Sequence, residues 1–182
     1  VKDLTEIARI ESGELRLSYE AVPVRKVIDE VRRSHQLLLE EKEQQLSIEI
    51  NDDLQPILGD YNRQVQILTN LISNAHKYTP QGGLITVSAS PIENTHSFNL
   101  PTADTFVHIA VQDSGIGIKP EDQTQIFQRF FRSSNKRALA IQGTGLGLNI
   151  TKHLIELQNG RIWFESEYGK GTTFHYVLPV AG

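Results

Sequence analysis

The chain has 182 residues, of which 38% are hydrophobic and 22% charged, with a formal net charge of −4. These values describe one globular domain with a full core, and the charge excludes a global basic field for recruiting nucleic acid or contacting an anionic membrane directly. The absence of cysteine excludes disulfides, thiolate zinc sites and cysteine nucleophiles, and fits a reducing, cytoplasmic setting.

No apolar run is long enough to span a bilayer, and the N-terminus lacks a signal-peptide pattern. The chain starts at Val1 and contains no Met, so it reads as a fragment with sequence missing upstream. Residues 1–15 read as the end of a helix: Val1, Leu4, Ile7 and Ile10 recur at spacing three, and Ser12-Gly13 stops the run. So short a helix is marginal alone and needs a partner. Leu15 to Val22 reads as a strand. Pro23 then opens a helix whose apolar stripe is Val24, Val27, Ile28, Val31, Leu38 and Leu39. Leu46, Ile48 and Ile50 alternate with polar residues as in a strand. A helix follows over about Asn62 to Tyr78, then strands carrying Ile85, Val87 and Ala89, and Val107, Ile109 and Val111. Pro91 to Thr105 reads as a long surface connection. The last helix spans about Leu146 to Gln158 and is ended by Gly160. Arg161–Ser166 and Thr172–Pro179 form a hairpin about Gly169-Lys170-Gly171. Helices and strands mix without regular βαβ alternation, which predicts an α+β sandwich with a mainly antiparallel sheet and helices on one face.

Four stretches carry chemistry. GTGLGLNI, Gly143 to Ile150, is neither a dinucleotide fingerprint nor a P-loop. It is either a glycine linker before a helix or a set of backbone N–H groups at a helix start that would bind an anion. In QILTNLISNAHKYTP, Asn70, Asn74 and Lys77 share a helix face nearly opposite Val65, Leu68, Ile72 and Ala75. A solvated face is the plain reading, yet asparagine is a mediocre helix former. Its carbonyl oxygen suits Mg²⁺ that arrives already held by phosphates, Lys77 could pair with the same phosphates, and Tyr78 could stack on a base. In VQDSGIGIKP an apolar strand ends in Asp113 and enters a Gly-x-Gly turn. The aspartate is either a turn residue or a carboxylate fixed at a cleft edge. In the second case it accepts hydrogen bonds only, so it would pair with the adenine amine and repel the guanine carbonyl. In IFQRFFRSS, Phe127, Phe130 and Phe131 read as anchors to the core, with Arg129 and Arg132 pointing elsewhere and Arg132 in reach of a phosphate.

Taken in this order, these motifs resemble the catalytic ATP-binding domain of sensor histidine kinases, in the wider gyrase-like ATPase superfamily with its Bergerat fold. NLISNAHKYTP is similar to the N box, DSGIG to the first glycine box, FQRFFR to the F box and GTGLGL to the second glycine box. RIESGELRL, Arg9 to Leu17, is similar to the junction with a dimerisation helix. The resemblance implies a two-layer α/β sandwich of a mixed, mainly antiparallel five-stranded sheet and three main helices, with a mobile ATP lid. It divides the chain into residues 1–15, the stub of a dimerisation and histidine-phosphotransfer helix, and residues 16–182, the catalytic domain. By motif, Asn74 corresponds to the Mg²⁺ ligand, Asn70 and Lys77 to phosphate-side residues, Tyr78 to a neighbour of the adenine, and Asp113 to the adenine-amine acceptor. Gly115 and Gly117 shape the base pocket, and Arg132 corresponds to a phosphate-contacting arginine. Residues 132–142 correspond to the lid, and Gly143, Thr144, Gly145, Leu146 and Gly147 to its hinge and phosphate cradle.

The implied ligands are ATP and Mg²⁺. The implied partners are an upstream histidine-bearing dimerisation domain, a response regulator and a second copy in a full-length homodimer, whose parent is either soluble or membrane-anchored. Where hydrolysing relatives place a glutamate that activates water, this chain has Asn70, and an amide cannot take that proton. None of His35, His76, His96, His108, His153 and His175 is followed by an acidic residue as the family's acceptor is. The expectation is therefore Mg-ATP binding with little self-phosphorylation and slow hydrolysis. Two alternatives remain: a nucleotide-binding regulatory module without phosphotransfer, and a serine kinase of the anti-sigma-factor type, against which the RIESGELRL junction speaks. Pro91–Thr105 is longer than the family's usual hairpin, and reads as a tolerated insertion or a docking surface.

Overall fold

The computed structural model describes residues 2–93, 105–133 and 145–182. In chain order these form α1 (Lys2–Glu11), β1 (Glu20–Val22), α2 (Val24–Glu41), β2 (Gln45–Ile50), β3 (Ile57–Gly59), α3 (Tyr61–Tyr78), β4 (Leu84–Glu93), β5 (Thr105–Asp113), α4 (Gly147–Leu157), β6 (Arg161–Glu167) and β7 (Gly171–Pro179). Five strands make one sheet in the order β2-β4-β5-β7-β6. β2 and β4 run parallel, and the other neighbours are antiparallel. β1 and β3 form a separate antiparallel pair, linked to the end of β7 by an Ile57–Val180 bridge. This is the expected mixed α+β sandwich.

Strand alternation decides which face is covered. Ile85, Val87 and Ala89 of β4, Val107, Ile109 and Val111 of β5, and Phe174, Tyr176 and Leu178 of β7 share one core cluster. Against them lie Val27, Ile28 and Val31 of α2, Ile67, Leu68, Leu71 and Ile72 of α3, and Ile150, Leu154 and Ile155 of α4. α1 buries Ile7. It is tied down by Glu6, which accepts from Arg63 Nη1 and, at 2.8 Å, from Gln66 Nε2, and by a Glu11–Arg129 ion pair.

Several elements differ from the sequence reading. The strand expected over Leu15–Val22 is confined to Glu20–Val22, because its partner β3 is itself three residues long. β3 gave no periodic signal. The stripe of α2 runs through His35, not Leu38: His35 is buried, bonded to Val31 O at 2.9 Å and to Ser73 Oγ at 3.2 Å, while Leu38 is 47% exposed. Pro91 lies within β4, opposite Val107 and beyond Ala89, the last β4 residue paired with β2, where a missing N–H breaks no ladder bond with β2. The remainder of the expected connection, 94–104, lies outside the described residues. α4 is closed by Asn159, which takes the left-handed conformation (φ 63°), one residue before Gly160.

α3 and α4 are locked end to end by a buried polar network. Asp60 caps α3 by accepting from Arg63 N–H at 3.1 Å and also accepts from Ser18 N–H at 2.8 Å. Gln158 Oε1 accepts from Asp60 N–H at 2.9 Å and from Gln64 Nε2 at 2.8 Å, while its Nε2 donates to Leu154 O. Removing the cap exposes orphaned helix donors. Asp60→Ala is expected to lower unfolding free energy by about 1–3 kcal/mol in urea denaturation. An unchanged midpoint would show that the cap is dispensable.

Candidate functional site

The face of β5 that carries Val107, Ile109 and Val111 into the core continues, two residues on, to Asp113, the last residue of the strand. The carboxylate thus emerges from the core side of the sheet, between β5 and the C-terminal half of α3. Its Oδ1 accepts from Gly115 N–H at 2.9 Å and Thr172 N–H at 3.3 Å. Among the described residues no donor is bonded to Oδ2. Burial pushes the Asp113 carboxyl up to about 6, against the two N–H bonds, which pull it down.

The loop after Asp113 is clamped to both neighbours. Ile116 N–H donates to Tyr78 O at 3.2 Å, Gly169 N–H donates to Ile116 O at 2.7 Å, and Ile118 N–H donates to Ser166 Oγ at 2.8 Å. A Cβ at Gly115 would stand 2.5 Å from Tyr78 O. At Gly117, φ is +72° and a Cβ would stand 2.2 Å from Glu167 O, so both the conformation and the contact require glycine.

α3 presents its polar face to this loop. Asn70, Asn74, Lys77 and Tyr78 line, with Asp113, Gly117, Arg132, Gly145 and Gly147, one cleft of about 320 Å³. Asn70 Nδ2 donates to Thr151 Oγ1 at 3.0 Å. Among the described residues the Asn74 carboxamide makes no hydrogen bond. Burial raises the Tyr78 hydroxyl pKa, partly offset by the Arg132 charge, which places that guanidinium within electrostatic reach of the ring.

The second glycine box is only partly described: Gly143 and Thr144 lie outside the described residues, as does the lid expected over 132–142 apart from Arg132 and Ser133. Gly145 and Gly147 behave differently. Gly145 is left-handed (φ +74°), bonds Phe130 N–H through its carbonyl at 2.9 Å, and would place a Cβ 2.7 Å from Phe130 C. Its close approach is to the F box, not to open cleft. A Cβ at Gly147 would meet nothing within 4 Å. Leu146, expected among the cradle residues, is 2% exposed, belongs to the core cluster and precedes the helix as its N-cap.

In the F box, Phe127 and Phe131 pack against the core as expected. Phe130 does not: it is 59% exposed at φ 59°, turned outward by the turn that meets Gly145. Sequence reasoning missed the apolar wall of Ile116, Ile118, Ile126 and Phe174, and the Thr172 N–H: the β7 residues reach the cleft only through pairing with β5, and the three isoleucines come from irregular backbone that carries no apolar period. It also missed Asn149, buried with Nδ2 donating to Phe127 O at 2.9 Å, which ties α4 to the F box.

A family model described as "Histidine kinase-, DNA gyrase B-, and HSP90-like ATPase" matches residues 59–182. The chain belongs to that family. It is 40% identical over 182 residues to drug sensory protein A of Synechocystis sp., covering 99% of this chain and 27% of the relative. It is 36% identical over 180 residues to the adaptive-response sensory kinase SasA of Thermosynechococcus vestitus, covering 99% of this chain and 44% of the relative. The chain therefore spans less than half the length of these relatives. Among solved structures, full-length ShkA in complex with AMPPNP superposes with a TM-score of 0.79 at 27% identity, over 99% of this chain and 35% of that one. The nucleotide-free catalytic domain of histidine kinase ThkA superposes with a TM-score of 0.72 at 26% identity, over 90% of this chain and 98% of that one. Among the described residues no helix is long and apolar enough to cross a membrane.

Because the Asp113 pKa is raised, its charge costs folded-state stability above about pH 6, and that cost vanishes as pH falls towards the ordinary value of 3.8. Asp113→Asn keeps an oxygen for both N–H groups. The variant is expected to be more stable than wild type at about pH 8, by roughly 1–3 kcal/mol, with the advantage shrinking as pH falls through about 6. A stability difference that does not change with pH would contradict the burial of this charge.

Proposed function

We propose that the chain is the ATP-binding catalytic domain of a two-component sensor histidine kinase. The observation that carries the reading is that the N-box face of α3, the Asp113 carboxylate and the Gly145–Gly147 turn line one cleft. Asp113 Oδ2 accepts the adenine amine, and Tyr78 and the loop held by Gly115 and Gly117 flank the base. Asn70, Lys77 and Arg132 face the phosphates, and the space over Gly147 admits them to the start of α4, where backbone N–H groups favour anions. The same reading assigns Gly143 and Thr144 to phosphate binding and residues 132–142 to the lid, of which only 132 and 133 are among the described residues.

The donor set fits a metal that comes with the nucleotide. Among the described residues no group of three or more His, Asp or Glu side chains could hold an ion, so most ligands must be phosphate oxygen and water. The Asn74 carboxamide, engaged by no other group among the described residues, is the hard oxygen that would complete that set. When bound, Mg²⁺ would neutralise charge developing on the transferred phosphoryl group. The chain's own residues bind, orient and screen the nucleotide. Asn70 offers no base for water, and no described histidine lines the cleft. The nucleophile is accordingly a histidine on a dimerisation helix upstream of this chain, of which residues 1–15 are the stub and residues 16–182 the catalytic partner. A response-regulator aspartate receives the group next, in the cytoplasm, from a homodimeric parent.

Titration of the chain with nucleotide in the presence of Mg²⁺ tests the assignment. Wild type is expected to bind ATP and not GTP. Asp113→Asn is expected to weaken ATP by about ten- to a hundredfold, the range of one hydrogen bond to a charged group, and to narrow the gap to GTP. Identical curves for both proteins with both nucleotides would remove Asp113 from the base pocket.

A further inference from the structure

Thr151 lies on the second turn of α4, is 0% exposed, and does not line the cleft. Both groups to which its hydroxyl bonds do. Oγ1 donates to Gly147 O at 2.8 Å and accepts from Asn70 Nδ2 at 3.0 Å. The hydroxyl has one hydrogen, and with that hydrogen on the Gly147 carbonyl it can only accept from Asn70. This fixes the orientation of the Asn70 carboxamide: the NH₂ group is held on α4, and among the described residues Oδ1 is the end left unengaged. A threonine bonding back to the fourth preceding carbonyl is ordinary in helices. Here the same oxygen bridges to a second helix, and it joins the two ends of the phosphate side, the N-box face and the glycine turn.

We propose that Thr151 is a positioning residue for the phosphate end of the cleft, setting the rotamer and amide orientation of Asn70 and holding α3 at fixed register to Gly147. The inference rests on the phosphate-side reading of Asn70. Valine has the shape of threonine without the hydroxyl. In Thr151→Val the Asn70 amide loses its acceptor and turns to find another, and the side facing the phosphates is no longer defined. Serine keeps the oxygen and loses only a methyl group.

The test compares Mg-ATP and adenosine binding to the 182-residue chain and its variants. Thr151→Val is expected to weaken Mg-ATP about three- to tenfold, the worth of one hydrogen bond, while adenosine binding stays as in wild type. Thr151→Ser is expected to restore Mg-ATP binding to within about twofold of wild type. Asn70→Ala alone is expected to weaken Mg-ATP, and adding Thr151→Val to it is expected to have no further effect, because the two residues act as one unit. Thr151→Val binding Mg-ATP like wild type while Asn70→Ala weakens it would overturn the positioning role and leave the phosphate-side reading intact. Equal loss of adenosine and Mg-ATP in Thr151→Val would reduce Thr151 to a folding role and overturn the proposal. Asn70→Ala without effect on Mg-ATP would overturn the phosphate-side reading, and the proposal with it.

Discussion

A carboxylate drawn out of a hydrophobic core must be held by fixed donors, and the geometry around Asp113 follows from that need. The strand that carries it is core-facing up to Val111, so the next position on that face, Asp113, is half-buried at the cleft edge. Two backbone N–H groups meet Oδ1, one from the turn after β5 and one from the start of β7. Neither can be supplied unless Gly115 comes up against Tyr78 O and β7 pairs with β5 as far as Thr172. The raised pKa is the residue of this arrangement: desolvation outweighs the two bonds, and the charge is kept at a standing cost. On the proposed reading, this acceptor-only carboxylate takes a base amine and repels a carbonyl presented from the same direction.

The second constraint is the fixed relation of α3 to α4. Gln158 and Asp60 lock one end of the pair, and Thr151 bridges Asn70 to Gly147 nearer the cleft. On the proposed reading, the phosphate side is built on helices packed in the core, and the base side on a loop clamped at both ends. The glycines divide by contact and not by side of the cleft. Gly145 and Gly117 are required by backbone contacts within the protein, whereas Gly147 borders open space.

Sequence periodicity made β4, β5 and α3 legible, because their apolar positions recur at the spacing of one covered face: Ile85, Val87 and Ala89 in the strand, Leu68, Ile72 and Ala75 in the helix. Asn70, Asn74 and Asp113 were legible as departures from these patterns, polar residues where propensity or burial disfavours them. Elements without a period were not legible. β3 is three residues long, and β1 shrinks to match it. The stripe of α2 passes through His35, which is buried only because Val31 O and Ser73 Oγ satisfy it, so hydropathy favoured Leu38 in its place. Phe130 reads as a core anchor by composition, but the turn against Gly145 faces it outward. Thr151 and Thr172 act through partners 81 and 59 residues away, a relation that no local window contains.

On the proposed reading this cleft is one half of a phosphotransfer site, with the nucleophile on another segment. Incubation with γ-labelled ATP and Mg²⁺ is the direct measurement, made on the 182-residue chain and on a longer chain that joins it to a histidine-bearing dimerisation helix. Little label is expected on the 182-residue chain, and acid-labile label on the helix histidine of the longer one. Strong label on the short chain, or none on a folded longer chain that binds ATP, would contradict that reading.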